Sequence, residues 1–326
     1  MVAHELERCG VDIAALQETR LEGNGNIREK SHTIFWSGVE PGERRTGGVA
    51  LAISNKLIKS LTSMPTVTCD RIISVRIPLE GNRHATVISV YAPTMSHSDE
   101  SKEEFYASLK RVTESVSLDD KLIILGDFNA RVGCNRSLYG QVLGNFGKGT
   151  VNSNGDLLLN FCAQFNLVIT NTIFKQPDIH FYSWMHPRSK RWHLLDYVLT
   201  RQRDKREVHN TRAMRAPECS TDHILIKSKF QLKIAPIRRR TAPGIPKKLS
   251  VKMLGKDTQT SVQITTNLRR SLAEKLTETS VPEDIDERWN TLKKINLRDS
   301  EEVLLACQPE RTPTGLKSIQ RRFSPC

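Results

Sequence analysis

Short apolar runs alternate with polar turns from the N-terminus to about Lys233. The runs are brief and rich in Val, Ile and Leu, a pattern that predicts β-strands. The predicted strands cover residues 11–16, 47–53, 71–77, 85–91, 121–125, 167–170, 195–199 and 224–230.

Three segments between or before these strands have helical patterns instead. Residues 100–115 carry apolar side chains on one face and charges elsewhere, which predicts an amphipathic helix. Residues 154–165 place leucines and phenylalanines at helical spacing, and residues 2–9 form a shorter segment of the same kind. Helices alternating with many strands predict an α/β fold of the α+β kind, in which the elements stack in layers.

The composition changes after Ala235. The segment that follows is rich in proline, glycine and basic residues, as linkers are. Beyond it, residues 257–279 and 284–297 have helical periodicity, and the tail from Pro309 is polar and basic. We therefore expect one domain over residues 1–235, followed over residues 236–326 by a basic, proline-rich linker and a short helical, partly disordered extension.

The net positive charge of the chain favours an anionic partner. Lys and Arg outnumber Asp and Glu by 49 to 36, which gives a formal net charge of +13 over 326 residues. A basic surplus favours polyanions, because each phosphate neutralised by Lys or Arg releases condensed counterions. Many basic proteins bind nothing in particular, so charge alone decides little.

The seven cysteines lie far apart, and none forms a C-x-x-C pair. A zinc site or a disulfide framework needs closer or more regular spacing, so we expect reduced thiols, no zinc and an intracellular protein. The first ten residues lack the apolar core of a signal peptide. No apolar run is long enough to span a bilayer, so we expect no membrane partner.

Polar side chains with metal-binding chemistry stand at the ends of the predicted strands. Because strand ends converge on one edge of a layered fold, these side chains are expected to meet there. Carboxylates, an amide and an imidazole form an oxygen-rich set that suits Mg²⁺ or Mn²⁺ and not zinc. The members of this set are Glu18, Asp127, Asn129, Asp196, Asp222 and His223.

Five short motifs carry these residues, and their order along the chain is informative. They are Leu16-Gln17-Glu18-Thr19, Ser89-Val90-Tyr91-Ala92-Pro93, Gly126-Asp127-Phe128-Asn129, Leu195-Asp196-Tyr197 and Thr221-Asp222-His223. In this order they resemble the motifs of the endonuclease/exonuclease/phosphatase superfamily, over about residues 1–233. The resemblance implies a four-layered α/β sandwich of the DNase I-like type. The contexts around Trp36 and Trp184 look most like RTE-type non-LTR retrotransposon endonucleases and the craniofacial development protein 2-like sequences.

The resemblance also implies a role for each residue. Glu18 would bind the metal ion and Asp222 would complete the carboxylate site. Asp127 would orient or deprotonate the attacking water, and Asn129 would help to hold that water or the scissile phosphate. The other roles concern the phosphate and the leaving group. His223 would donate a charged hydrogen bond to the phosphate, Asp196 would pair with His223 and raise its pKa, and Tyr91 would hydrogen-bond on the leaving-group side.

Each of these residues, taken alone, also has a purely structural explanation. Tyr91 is nearly as well explained as a core aromatic that closes a strand. The segment from Asp127 to Asn129 is also a plain turn sequence. Asp196 could pair locally with His193 or an arginine. Only the combination of all five motifs favours the catalytic interpretation.

The segment from residue 184 to 193 interleaves tryptophans with cations directly before Asp196. Cations contact phosphates while aromatic rings stack on bases or enter a groove, so the segment is typical of a DNA-binding surface. Alternatively, both tryptophans belong to the core of a β-hairpin whose tip is merely solvated. The predicted nucleic-acid contacts are Trp184, Arg188, Lys190, Arg191 and Trp192, with Arg44 in the loop of residues 41–48 as a further contact.

Two departures from the family pattern bear on activity. The family begins with a strand that carries an Asn of the metal site, whereas Met1 starts in the helix after it, so that strand is expected to be missing. Thr221 stands where the family usually has Ser. The sequence therefore predicts an endonuclease that nicks DNA in the nucleus, in a full element that would continue beyond Cys326 into a reverse transcriptase. The alternatives are a catalytically impaired, domesticated DNA- or chromatin-binding protein and a small-molecule phosphatase.

Overall fold

A computed structural model of the chain describes residues 1–40, 42, 47–215 and 221–236, together with single helical positions at 266, 269, 270, 273 and 274. The helices are α1 (Val2–Arg8), α2 (Asn55–Ile58), α3 (Asp99–Ser115), α4 (Arg136–Tyr139) and α5 (Ser153–Gln164). The strands are β1 (Ile13–Gln17), β2 (Asn24–Arg28), β3 (His32–Ser37), β4 (Val49–Ser54), β5 (Thr66–Cys69), β6 (Ile72–Leu79), β7 (Arg83–Tyr91), β8 (Lys121–Asp127), β9 (Leu167–Ile169), β10 (Trp184–Met185), β11 (Trp192–His193), β12 (Asp196–Arg201), β13 (Val208–Met214) and β14 (Leu225–Phe230).

Two main sheets organise the described domain. One is antiparallel and has the strand order β1-β4-β3-β2, and the other has the order β5-β6-β7-β8-β12-β9. Within the larger sheet only β7 and β8 run parallel, because α3 connects them as a crossover. The pairs β10-β11 and β13-β14 form two-stranded ribbons.

The two main sheets pack face to face through aliphatic side chains. Every residue of β4 is buried, and Val49, Leu51 and Ile53 pack against Ile73 and Val75 of the larger sheet. Strands buried on both faces are continuously apolar, which is why β4 was recognisable from its sequence. Burial of these side chains is the main force that holds the layers together.

Helices cover the outer faces of both sheets. Leu6 of α1 packs on Ala14 and Ala52 of the smaller sheet. On the larger sheet, Phe105 and Leu109 of α3 belong to one core cluster with residues of α5 and the outer side chains of β7 and β8. The order of layers is therefore helix, sheet, sheet, helix. The predicted four-layered α/β sandwich is confirmed.

The predicted strands agree with the structure to within a few residues at each end. The patterns missed β2, β3, β5, β13 and the β10-β11 ribbon, most of which are polar or short. The predictions for residues 237–326 lie outside the described residues, apart from the five single helical positions. Among the described residues, no helix is long and apolar enough to cross a membrane, and Cys9, Cys69, Cys134 and Cys162 are free thiols.

A glycine lets β8 approach β7 closely at its end. Gly126 has φ +148°, and a Cβ atom built on it would lie 2.0 Å from the carbonyl oxygen of Val90. Val90 is the residue that pairs with Gly126 across the parallel ladder. Only a residue without a side chain fits this contact. Gly126 therefore sets the position of the next residue, Asp127.

We expect Gly126→Ala to lower the free energy of unfolding by more than about 2 kcal/mol, because the new methyl group meets backbone atoms that cannot move aside. Urea unfolding followed by circular dichroism measures the loss. Gly10→Ala is the matched control, because Gly10 also has a positive φ (+59°) but has no atom near the new Cβ. It should cost only about 1–2 kcal/mol. Equal losses at both positions would contradict the close-approach explanation.

Candidate active site

Three polar side chains line up where β7, β8 and β12 meet. Tyr91 ends β7 and pairs with Asp127, which ends β8. Asp196 begins the antiparallel strand β12 and pairs with Asp127 from the other side. Residues that pair across neighbouring strands point to the same face of a sheet, so the register itself brings these groups together.

A histidine completes the centre of the cluster. His223 precedes β14, and its Nδ1 lies 2.9 Å from Oδ2 of Asp196. Ligand atoms of Asp127, Asp196 and His223 all lie within 4.8 Å of one another. Residues separated by almost a hundred positions thus form one compact group. This agrees with the expectation that polar side chains at the strand ends meet at one edge of the fold.

The protonation of this cluster is strongly perturbed. Burial, and next the charge of Asp196, raise the pKa of Asp127 to about 8. Burial alone would lower the pKa of His223, but the hydrogen bond and the charge of Asp196 outweigh it and raise that pKa to about 9. At neutral pH the imidazole is therefore a cation held by Asp196, while Asp127 retains a proton in the absence of a further positive charge.

Glu18 reaches the cluster from the other main sheet. It follows β1 with a left-handed backbone (φ +53°), and its Oε1 accepts a hydrogen bond of 3.0 Å from the hydroxyl of Tyr91. Burial and the charge of Glu18 raise the pKa of Tyr91, so the phenol stays protonated and donates. The guanidinium of Arg71 lies 5.3 Å from the centre of the Tyr91 ring. Tyr91 therefore links Glu18 to the row of strand ends.

Asn129 connects the segments that follow β7 and β8 through hydrogen bonds. Its backbone N–H donates to Oδ1 of Asp127 at 2.8 Å, and its side-chain amide donates to the carbonyl of Ala92 at 2.9 Å. The amide of buried Asn154 in turn donates to the carbonyls of Pro93 and Asn129. Asn154 was not predicted to be a site residue, since an Asn near the start of a helix usually indicates only a cap.

The carboxylate of Asp222 is held by a tryptophan. The indole N–H of Trp184 donates to Oδ2 of Asp222 at 2.9 Å. Next to it, the hydroxyl oxygen of buried Ser183 accepts hydrogen bonds from the backbone N–H groups of Leu195 and Asp196. Ser183 was not predicted to be a site residue, and no motif distinguishes a serine that organises a site from any other buried serine.

The predicted DNA-binding segment is a hairpin beside the cluster. It consists of β10 and β11, and Arg188, Lys190 and Arg191 at its tip are exposed. Trp192 is half-buried, and the guanidinium of Arg215 lies 4.4 Å from the centre of its ring. The base of the hairpin therefore adjoins the site through Trp184 and Trp192, and the cations lie at its exposed tip. Arg44 lies outside the described residues.

The donor set fits a divalent cation. Four carboxylates, of Glu18, Asp127, Asp196 and Asp222, line one cavity of about 1390 Å³ that also runs beneath β1 and β14. Hard cations take oxygen ligands of this type. The raised pKa of Asp127 reflects burial without enough positive charge nearby, and a bound cation would supply that charge.

Sequence comparison matches the model of the endonuclease/exonuclease/phosphatase family to residues 1–223. The chain belongs to this family. Craniofacial development protein 2 of Bos taurus is 35% identical over 244 residues, which are 74% of this chain and 40% of that protein. The predicted resemblance to that protein is confirmed. The chain spans well under half the length of this relative.

Two further similarities agree with the family. A transposon TX1 uncharacterized 149 kDa protein of Xenopus laevis is 29% identical over 132 residues, covering 38% of this chain and 9% of that protein. Among solved structures, the AP endonuclease LMAP of Leishmania major superposes with a TM-score of 0.51 at 14% identity, covering 72% of this chain and 82% of that one. At this identity the similarity concerns the fold, and it is the fold expected for the family.

The His223–Asp196 pair makes a pH prediction. In the metal-free protein the imidazole should titrate near pH 9, and in Asp196→Asn its pKa should fall, because burial is then opposed only by the weaker effects of the Asp127 and Asp222 charges. The folded-state pKa is raised, so the stability that the pair contributes is fully present below pH 6.5 and is lost as the pH rises through 9. NMR titration of the imidazole Cε1–H resonance measures both values. An unchanged pKa in Asp196→Asn would refute the assigned cause.

Proposed function

We propose that this chain is a divalent-metal-dependent endonuclease that nicks one strand of DNA, as in target-site cleavage by retrotransposons. The observation that carries the proposal is the group of Asp127, Asp196 and His223, with Glu18 beside it, at a rim flanked by an exposed cationic hairpin. Family membership limits the chemistry to hydrolysis of phosphate esters, and the hairpin favours a long polyanion over a small substrate.

The positively charged imidazole of His223 binds the negatively charged phosphate of the substrate. His223 donates one N–H to Asp196, which leaves its Nε2–H free to donate to a phosphate oxygen. Charge that builds up on the phosphate during attack is stabilised more strongly in a partly buried site than in water. Asp196 keeps the imidazole protonated and fixes its orientation.

Asp127 is placed to handle the attacking water. A divalent cation held by Glu18 and Asp222 would supply Lewis-acid polarisation of the phosphate. The ionised carboxylate of Asp127 accepts a proton from the attacking water, while the N–H of Asn129 holds its Oδ1 in place. The P–O bond to the 3′-oxygen breaks as the new P–O bond forms, and that oxygen takes up a proton from solvent water. Tyr91 donates to Glu18 and fixes the direction of that carboxylate.

The choice of DNA rests on the hairpin. The exposed Arg188, Lys190 and Arg191 at the hairpin tip contact DNA phosphates, and Trp192 lines the cavity that holds the carboxylates. Access to DNA places the protein in the nucleus. The nicked strand exposes a 3′-hydroxyl from which a reverse transcriptase region of a full-length element can prime.

We expect the chain to convert supercoiled plasmid to open circles with Mg²⁺ or Mn²⁺ and to lose this activity in EDTA. Asp127→Asn should lower the nicking rate by at least about 100-fold, because it removes the proton acceptor. Gel quantification of open circles gives the rate. Asp119→Asn is the matched control, since Asp119 is exposed and lies outside the cluster. Wild-type nicking by Asp127→Asn would contradict the proposed site, and preferential turnover of a soluble phosphomonoester would indicate a phosphatase.

Replacing Arg188, Lys190 and Arg191 together with Gln should raise the KM for DNA while kcat is retained. The dependence of log Kd on log salt concentration should become shallower by about 0.9 for each lost phosphate contact. Fluorescence anisotropy of a labelled duplex over a salt series measures the slope.

A variant with Gln at Arg28, Lys30 and Lys110 is the control for net charge, because these exposed cations lie on β2, the turn after it and α3. It should leave the salt slope unchanged. Equal effects in both triple variants would mean that the hairpin is no specific DNA contact.

A second candidate function is DNA binding without cleavage. Within the described part of the chain, side-chain atoms of Gln17 and Thr19 are buried without hydrogen-bond partners on either side of Glu18, and the cavity of about 1390 Å³ opens beside them. Metal ligands that lack supporting hydrogen bonds typically lose about 10- to 100-fold in metal affinity or activity, whereas the exposed cations that contact phosphates do not depend on that support. Salt-sensitive duplex binding with no nicking under any divalent metal would establish this function instead.

A further inference from the structure

The side chain of Trp184 points into the carboxylate cluster. Its indole N–H donates to Oδ2 of Asp222, and its ring centre lies 6.4 Å from that of His223. His186 and His193 also lie beside the indole, with ring centres at 5.5 Å and 6.1 Å. Three imidazole rings therefore surround the half-buried indole.

The backbone fixes this arrangement. Trp184 and His223 form an isolated antiparallel bridge, and the N–H of Ile224 donates to the carbonyl of Ser183. The hydroxyl of Ser183 accepts the N–H of Asp196. One end of the hairpin is therefore attached both to the strand that carries Asp196 and to the segment that carries Asp222, so the indole is presented by rigid structure.

Asp222 needs such a partner because it is exposed. An exposed carboxylate rotates freely, and ordering it costs free energy each time a cation binds. The indole N–H engages one carboxylate oxygen and leaves the other available to a cation. Hydrogen bonds of this kind orient metal ligands in proteins and typically contribute about 10- to 100-fold in metal affinity or activity.

We infer that Trp184 is a positioning residue for Asp222 and that it acts on divalent-cation binding, not on DNA stacking. The inference rests on the proposed metal dependence of the site. It gives the hairpin two separate tasks: the cations at its tip contact DNA, whereas the tryptophan at its base orients a metal ligand.

The test is direct cation binding by the full chain. Titration with Mn²⁺, followed by the EPR signal of the free ion, gives a Kd without DNA or turnover. Trp184→Phe keeps an aromatic ring and removes only the N–H, so its Kd for Mn²⁺ should rise about 10- to 100-fold. Trp36→Phe is the matched control, because the Trp36 indole donates instead to the carbonyl of Glu22. Its Kd should equal that of the wild type.

A double variant shows whether Trp184 acts through Asp222. Asp222→Asn should weaken Mn²⁺ binding by itself, and adding Trp184→Phe to it should cause no further loss, since the indole then has no carboxylate to orient. Additive losses would mean that Trp184 acts by another route and would overturn the inference. Thermal unfolding of each variant shows that the fold persists.

The outcomes separate the inference from the function on which it rests. If the wild type binds Mn²⁺ and Trp184→Phe binds it equally well, the positioning role is wrong while the metal site stands. If Trp184→Phe keeps its Mn²⁺ affinity but raises the KM for DNA, the tryptophan is a DNA contact after all. If the wild type binds no Mn²⁺, the proposed metal-dependent function fails first.

Discussion

The ion pair between Asp196 and His223 makes the rest of the site possible. Several carboxylates converge on one rim of the fold, and their mutual repulsion opposes that convergence. The imidazolium supplies a positive charge at the centre of the cluster, 2.9 Å from Asp196, and Arg20 pairs with Glu18 at its edge. Even so, the pKa of buried Asp127 remains raised to about 8, which leaves a demand for more positive charge that a divalent cation would meet.

The convergence of the carboxylates is accompanied by strained backbone conformations close to the site. Glu18 and Asn129 adopt left-handed conformations with φ of +53° and +47°, and Gly126 has φ +148°. Such conformations cost about 1–3 kcal/mol each for residues other than glycine and persist where the surrounding structure enforces them. The enforcing contacts are visible: Tyr91 binds the Glu18 side chain, and Asn129 is tied to Asp127 and Ala92. The strained residues therefore either carry a carboxylate of the site, as Glu18 does, or lie within two residues of Asp127.

The sequence predicted the strands and site residues whose signals are local. Strands such as β4 and β8 are largely apolar because both of their faces are buried, and the motif residues stand at or next to strand ends. It missed β2 and β13, whose polar side chains alternate with few apolar ones because these strands lie at sheet edges. It gave no sign of the hydrogen bond between Trp184 and Asp222, which joins residues 38 positions apart and leaves no trace in local spacing. Contacts set by three-dimensional register, such as those of Ser183 and Asn154, are not visible in a linear pattern.

Anomalous diffraction from a crystal soaked in Mn²⁺ tests most directly whether these distant carboxylates share one cation. We expect a single strong anomalous peak in contact with carboxylate oxygens of Glu18 and Asp222, within a few ångströms of Asp127. A peak elsewhere on the surface, or none at a saturating Mn²⁺ concentration, would contradict it.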